Sequence, residues 1–395
     1  MRKRCHCLLA LGAALLLAGC ETTHYTPGQP LTGDARIDGR EALEHGPARD
    51  RVLWQYRMAV AAMRQGQFAE AKPLLDEAIG RISAIYSNVK DKDAKKARSY
   101  FHAEGKKTFI GEPYERVMAY YYRGLLYWMD GEPDNARACF RNGQLQDSDT
   151  TDKGYAADYV LLDYLDGFAS AKLGGDGSDA YRRALALSKS QPPLPPYNTK
   201  ANVLLFLEFG PGPTKYATGE YAQELRFRRH DAPMRNARVI AGQQTAWVPP
   251  YDDLFYQATT RGGRVMDHIL ANKAVFKSTT DTLGTAALIS GAILASDHNT
   301  QTAGLAVMGV GLLSKIIASA SNPEADTRAW DNLPNYLSFV ALELPPGQHT
   351  LTVEFLNEAG QVVANLTKTV TLNVPAGSGD KVVYVSDRSL TPQTL

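Results

Sequence analysis

The stretch AYYYRGLLYWMDGEPDNARACFRNGQ, residues 119–144, decides the fold of the N-terminal half of the chain. Aromatic and apolar residues occur at helical spacing before the turn at Gly131 and after it. Small residues at Gly124 and Ala136 allow two helices to approach closely, and the larger Phe140 fills the space between them. The stretch therefore predicts a pair of packed helices.

The same order of small and large residues is present in a second stretch, RVLWQYRMAVAAMRQGQFAEAKPLLDEAIGRI, residues 51–82. A third, less regular copy covers residues 159–187. This order resembles the tetratricopeptide pattern, in which each repeat is a helix pair that buries its apolar face against its neighbours. The sequence therefore predicts a tetratricopeptide-like helical repeat domain over residues 50–189. The matched positions are Ala59 with Gly124, Gly66 with Gly131, Ala71 with Ala136 and Leu75 with Phe140.

One face of these helices is a candidate partner surface. In a repeat of this kind the first helix of each pair lines a concave groove, and such grooves bind partners through extended surfaces. Aromatic residues at helical spacing are equally typical of a packed interior, so both interpretations stay open. The candidate partner-binding residues are Tyr56, Met63, Arg64, Tyr121, Trp128 and Met129.

The C-terminal half has the pattern of β-structure. The stretch SQPPLPPYN, residues 190–198, ends the helical region because proline has no N–H to give to a helix, and it predicts a linker over residues 190–200. The apolar run Val203–Phe209 indicates a strand that turns at Gly210 to Pro213 and pairs with the next one. Alternation through residues 351–355 indicates an antiparallel sheet with one wet face. We expect an α+β fold whose antiparallel, sandwich-like β domain combines residues 201–250 and 323–395.

Residues 251–322 interrupt the predicted sheet. A helix is expected from Tyr251 to Thr280, followed by two apolar pieces at residues 283–296 and 303–321. Each piece is shorter than the roughly 20 residues of a comfortable membrane span. A buried helical hairpin or an oligomer contact is favoured over membrane insertion because serines and a lysine are interspersed. The candidate self-association or membrane-contact residues are Ala287, Gly291, Ala295, Gly304, Gly309 and Gly311.

The N-terminus, MRKRCHCLLALGAALLLAGC, has a positive segment, a short apolar run and small residues before Cys20. This order is typical of an export signal, here residues 1–19. Leu17 to Cys20 resemble the bacterial lipobox, in which the cysteine is acylated and becomes the first residue of the mature chain. Residues 20–49 are polar with scattered Gly and Pro, and they are predicted to be a tether.

Composition and motifs exclude several functions. The chain has 43 Lys and Arg residues against 42 Asp and Glu, and this balance excludes a strongly basic nucleic-acid binder. Its eight His residues are not at metal-ligand spacing, and no nucleophile motif is present. We therefore expect no enzyme activity, no cofactor and no metal. A cell-wall or glycan-acting enzyme remains a remote alternative because carboxylates that are distant in sequence sometimes meet in space.

Together these pieces resemble a family of proteobacterial outer-membrane lipoproteins with tetratricopeptide-like repeats. The resemblance implies an outer-membrane lipoprotein facing the periplasm, whose relatives often accompany other small envelope lipoproteins, including ones resembling activators of peptidoglycan synthases. The leading expectation is a lipid-anchored scaffold or adaptor that binds another envelope protein through the helical groove. The alternative is a membrane-associated oligomeric assembly or export component that uses residues 283–320. The matching stretches are the lipobox, GEPYERVMAYYYRGLLYW from Gly111, VLLFLEFGPGPTK from Val203 and ADTRAWDNLPNYLSFVALELPPGQHTLTV from Ala325.

Overall fold

The computed structural model describes residues 31–86, 107–149, 153–220, 222–260, 324–377 and 379–395. Within them the chain is α+β, as predicted, with a helical region followed by sheets. The helices are α1 (Ala35–His45), α2 (Arg51–Arg64), α3 (Phe68–Tyr86), α4 (Pro113–Met129), α5 (Pro133–Asp147), α6 (Val160–Lys172), α7 (Ser178–Leu187) and α8 (Leu254–Thr259).

Helices α2 to α7 form three hairpins that turn in the same way. A glycine of positive φ lies two residues beyond the end of the first helix of each hairpin: Gly66 at 71°, Gly131 at 80° and Gly174 at 80°. In the first turn the N–H of Gly66 donates to Met63 O at 3.0 Å and that of Gln67 donates to Ala62 O at 2.8 Å. These two bonds are those of a Schellman motif, which satisfies the last carbonyls of a helix and needs a residue that tolerates positive φ.

Small residues let the paired helices approach, as the sequence predicted. A Cβ atom built on Gly124 would lie 2.6 Å from Cε1 of Phe140. This is closer than two carbon atoms pack, so any larger residue at position 124 would displace the Phe140 ring. Ala59, Ala71 and Ala136 are fully buried. The pairwise packing of the helices therefore depends on these positions.

Residues 35–45 differ from the prediction of a tether. They form α1, whose N-cap Asp34 accepts a hydrogen bond from Arg36 N at 2.8 Å. A Cβ on Gly39 would lie 2.3 Å from Cγ of Met58, so α1 packs closely on α2. The polar composition of this segment concealed a helix because its buried face is small.

The strands form two sheets and a separate hairpin. The strands are β1 (Val203–Pro211), β2 (Thr214–Thr218), β3 (Glu224–Arg228), β4 (Met234–Ala241), β5 (Gln244–Val248), β6 (Asp252–Asp253), β7 (Pro334–Leu342), β8 (Gly347–Asn357), β9 (Lys368–Val374), β10 (Lys381–Ser386) and β11 (Gln393–Thr394). One sheet has the order β10-β1-β7-β6, the other has the order β11-β9-β8-β4-β5, and β2 pairs with β3.

The prediction of a purely antiparallel β domain is wrong, because the sheets are mixed. Strand β1 is antiparallel to β7, with Phe206 opposite Phe339, and parallel to β10, with Phe206 opposite Tyr384. Strand β11 is likewise parallel to β9. The expected pairing of β1 with the strand after Pro213 does not occur, since β2 pairs with β3 instead. A strand flanked on both sides and covered on both faces reads as a continuous apolar run, which is the pattern of Val203–Phe209.

The molecule has three layers because both faces of β1 are buried. Leu204 and Phe206 pack into the core shared with the helices. Leu205 and Leu207 pack into the core between the two sheets. The first sheet therefore lies between the helices and the second sheet. Of the helix predicted over residues 251–280, the described part is α8, and residues 261–323 lie outside the described residues.

Candidate functional site

The predicted groove residues are buried under the chain's own sheet. Tyr56 stacks on Trp330 with ring centroids 4.3 Å apart. Tyr121 and Trp128 both pack on Phe206 of β1, at 6.3 and 6.4 Å between ring centroids. Of the two interpretations of this helix face, an open groove and a packed interior, the structure shows the packed interior, because the first sheet covers the face. Relative exposures are 1% for Tyr56, 1% for Met63, 7% for Arg64, 0% for Tyr121 and 1% for Trp128, and Met129 is partly buried against the same core.

An ion pair lies inside this contact between helices and sheet. Arg64 of α2 donates from Nε and Nη2 to Oε1 of Glu208 at 2.8 and 2.6 Å, and from Nη1 to Asn332 O at 2.7 Å. Tyr122 donates its hydroxyl to the other oxygen of Glu208. Burial favours a raised pKa for Glu208, but the charges of Arg64 and Arg388 outweigh it and the pKa lies below its usual value. The fully buried carboxyl is therefore held as an anion.

A second buried pair fixes the start of α4. Lys215 Nζ lies 2.5 Å from Oε2 of Glu115, and Trp330 N donates to Oε1 of Glu115 at 2.7 Å. Glu115 and Glu112 also form a capping box, in which each carboxylate accepts a hydrogen bond from the backbone N–H of the other residue. Both buried pairs join elements that are distant in sequence, so they serve the fold.

A recess of about 710 Å³ is present among the described residues. It lies between the start of α6, the end of α7 and the segment that runs from Pro249 into α8. We call it the polar cleft. Its polar and aromatic lining consists of Tyr155, Asp158, Lys189, Ser190, Gln191, Asn236, Tyr251, Asp252, Asp253, Tyr256 and Gln257.

Asp252 is the most deeply placed carboxylate of the polar cleft. Its two oxygens accept hydrogen bonds from Val160 N at 3.0 Å and Leu161 N at 2.8 Å, so it caps α6 from another part of the chain. Burial raises the pKa of Asp252 to about 7; the two N–H donors lower it, and the carboxylates of Asp158 and Asp147 raise it. Asp252 is therefore a group whose charge changes near neutral pH.

The other charges of the cleft are largely offset. Asp253 N-caps α8 and pairs with Arg229, whose Nη2 lies 2.5 Å from Oδ2. Lys189 Nζ lies 4.5 Å from the ring centroid of Tyr256, and Tyr155 meets that ring edge to face at 6.3 Å. The lining thus combines hydrogen-bond donors and acceptors with three tyrosine rings.

A smaller apolar recess of about 290 Å³ adjoins the polar cleft and shares Ser190, Pro249 and Tyr251 with it. We call it the proline pocket, because the linker predicted at residues 190–200 forms one wall and Trp247 the other. Tyr181 donates its hydroxyl to Leu194 O at 3.0 Å. Trp247 is 43% exposed.

Sequence reasoning missed both recesses because their residues come from separate parts of the chain. Residues 249–253, Pro-Pro-Tyr-Asp-Asp, carried the usable signal, since a proline pair followed by Asp before an apolar run marks a helix start. The candidate residues Cys20, Ala287, Gly291, Ala295, Gly304, Gly309 and Gly311 lie outside the described residues.

The Cys139 thiol is buried. Burial raises its pKa to about 11, although the Arg123 charge acts in the opposite direction, so the thiol stays protonated at neutral pH and packs as a small apolar group. Within the described ranges, no group of three or more His, Cys, Asp or Glu side chains is placed to hold a metal ion. Among the described helices none is long and apolar enough to cross a membrane.

Comparison with known protein families, curated proteins and solved structures gives no match for this chain.

Proposed function

We propose that the chain is a non-catalytic envelope adaptor, anchored in the outer membrane through an acylated Cys20 and facing the periplasm. The lipobox at Leu17 to Cys20 supports the anchor. Three hairpins with one turn geometry at Gly66, Gly131 and Gly174 support tetratricopeptide-like repeats. In this proposal the helices are a rigid platform, because their inner face is filled by the sheet.

The proline pocket is the surface that we assign to a protein partner. Its Trp247 is the most exposed tryptophan side chain of the described residues, and exposed tryptophans are strong contributors to protein interfaces. The prolines at 192, 193, 195 and 196 are exposed beside it. Leu194 is buried and the carbonyls of Leu194 and Pro195 accept bonds from Tyr181 and Tyr164. This exposed apolar surface on a fixed backbone is the observation that carries the proposal.

A photo-crosslinking amino acid placed at Trp247 in living cells tests the partner surface. We expect one envelope protein to be captured from position 247 and not from position 216. Tyr216 is a matched control because it is 39% exposed on the separate β2–β3 hairpin. Equal capture from both positions refutes the surface.

The anchor is tested separately by metabolic labelling with an alkyne fatty acid. We expect label on the wild-type chain and none on the Cys20→Ala variant. An unlabelled wild-type chain refutes the anchor, whatever the cross-linking result.

The polar cleft favours a second candidate, a glycan-acting enzyme, because Asp158 and Asp252 both line one cavity. General acids need a carboxyl whose pKa is raised, and Asp252 has one. However, both oxygens of Asp252 accept N–H bonds from α6, so the group is oriented as a cap. If a saccharide is unchanged after prolonged incubation with the protein, the result supports the non-catalytic adaptor. If the saccharide is cleaved, and the Asp252→Asn variant does not cleave it, the result supports a glycan-acting enzyme.

The assembly alternative, which uses residues 283–320, remains a proposal about residues outside the described part of the chain. Deleting that stretch and measuring oligomer size and detergent dependence tests it. No change in either property argues against it.

A further inference from the structure

The polar cleft has the size and lining of a small-ligand site that the adaptor proposal does not use. Its volume of about 710 Å³ lies within the range of about 300–1,000 Å³ for ligand pockets. Amide and carboxyl groups from four separate segments converge on it, at Asp158, Gln191, Asn236 and Asp252. Tyr155 and Tyr256 add two aromatic rings to the same wall.

The charges of the cleft indicate a ligand without a strong charge. Asp253 is paired with Arg229, and Asp252 faces the N–H groups of α6. Lys189 adds one positive charge to the same lining. Because acidic and basic groups lie together in this lining, neither a strongly anionic nor a strongly cationic ligand would find a large net attraction.

We infer that the polar cleft binds a neutral carbohydrate, a short oligosaccharide. Sugar hydroxyls donate and accept hydrogen bonds, and amide and carboxylate side chains satisfy both roles. The C–H face of a sugar ring is apolar and weakly positive, and it packs on the negative face of a tyrosine ring. A lining of amides, carboxylates and tyrosines with offset charge suits this chemistry.

Four trisaccharides of similar size, titrated into the full chain in a detergent without a sugar head group, test the inference. Chitotriose and maltotriose are neutral, the glucosamine trimer is cationic and trigalacturonate is anionic. We expect the two neutral sugars to bind with dissociation constants of about 1 mM or tighter, and the charged ones at least tenfold more weakly. Calorimetry or saturation-transfer NMR measures the binding.

Variants locate the bound sugar. Tyr155→Ala and Tyr256→Ala should each weaken the neutral sugars at least tenfold, whereas Tyr216→Ala on the β2–β3 hairpin should leave them unchanged. Circular dichroism melting identifies any variant that fails to fold, and Gln191→Ala, at an exposed position of the same wall, then replaces it.

Three outcomes overturn the inference: no binding of either neutral sugar at about 10 mM, tighter binding of a charged trisaccharide, or equal binding by wild type and every cleft variant. The Trp247→Ala variant separates this inference from the adaptor proposal. With the cross-linker moved to the exposed Pro193 of the same pocket, this variant should lose partner capture and keep sugar binding, so either idea can fail alone.

Discussion

Removal of one partner from the buried Arg64–Glu208 pair should destabilise the protein strongly. In Glu208→Leu the Arg64 guanidinium keeps its bond to Asn332 O and loses both bonds to the carboxylate, and the Tyr122 hydroxyl loses its acceptor. Breaking a buried pair on one side costs about 3–5 kcal/mol because an uncompensated charge stays buried. Arg64→Met leaves the carboxylate buried and should cost a similar amount.

The double variant Arg64→Met with Glu208→Leu should recover much of this loss. Both charges are gone, and the remaining cost comes from the Tyr122 hydroxyl and the Asn332 carbonyl, which each lose a partner at about 1–3 kcal/mol for a buried unpaired group. The two single losses sum to about 6–10 kcal/mol, so a double-mutant cycle should show a large coupling. Urea unfolding followed by circular dichroism measures all four proteins.

The Arg238–Glu354 pair provides the control. It joins β4 to β8 with Nε 2.7 Å from Oε2, but Arg238 is 35% exposed, so Glu354→Leu should cost about 1 kcal/mol or less. Additive losses in the double variant at 64 and 208, or losses no larger than the control, would refute the reasoning.

The buried Arg64–Glu208 pair should also make the free energy of unfolding depend on pH in the acid range. The folded-state pKa of Glu208 lies below its unfolded value, which is about 4.3 for glutamate. The stabilisation is therefore present above that pH and is lost as the pH falls through the folded-state pKa. The difference between wild type and Glu208→Gln should shrink below about pH 4.

Three further predictions concern other parts of the chain. Asp252 has a folded-state pKa of about 7, above its unfolded value, so its protonation should make the wild type gain stability relative to Asp252→Asn as pH falls from 8 to 5 in urea unfolding; parallel pH curves would contradict this. Gly124→Ala should lose about 1–3 kcal/mol because its Cβ would meet Phe140, whereas Gly80→Ala in α3, where nothing lies near the new Cβ, should gain up to about 1 kcal/mol; similar melting shifts for both would contradict the packing argument. Cys139, with a pKa of about 11, should resist iodoacetamide at pH 8 in the folded chain and react in urea, as site-resolved mass spectrometry can show; rapid native labelling would contradict its burial.

The helices were predictable because their determinants are local. Gly66 and Gly131 end a helix through their own backbone conformation, and Gly124 and Phe140 meet within a single hairpin. The β1 strand was recognisable from its apolar run for the same reason.

The partners of these elements were not predictable from local pattern. Strand β1 pairs with β7 and β10, which lie more than a hundred residues later in the chain. The aromatic residues Tyr121 and Trp128 fit either a groove or a core, and only the position of Phe206 decides between them. The polar cleft depends in the same way on Asp252 reaching the start of α6.

The position of β1 at the centre of the first sheet has a consequence for the order of folding. Its two neighbours are contributed by the last quarter of the chain, so a ribosome or a translocation channel delivers the helices long before the strands that cover them. Until β10 emerges, the aromatic side of the helices faces water, and such surfaces favour aggregation or chaperone binding. Truncations near the C-terminus should therefore affect yield more than their few residues suggest, since they remove the strand that completes the sheet.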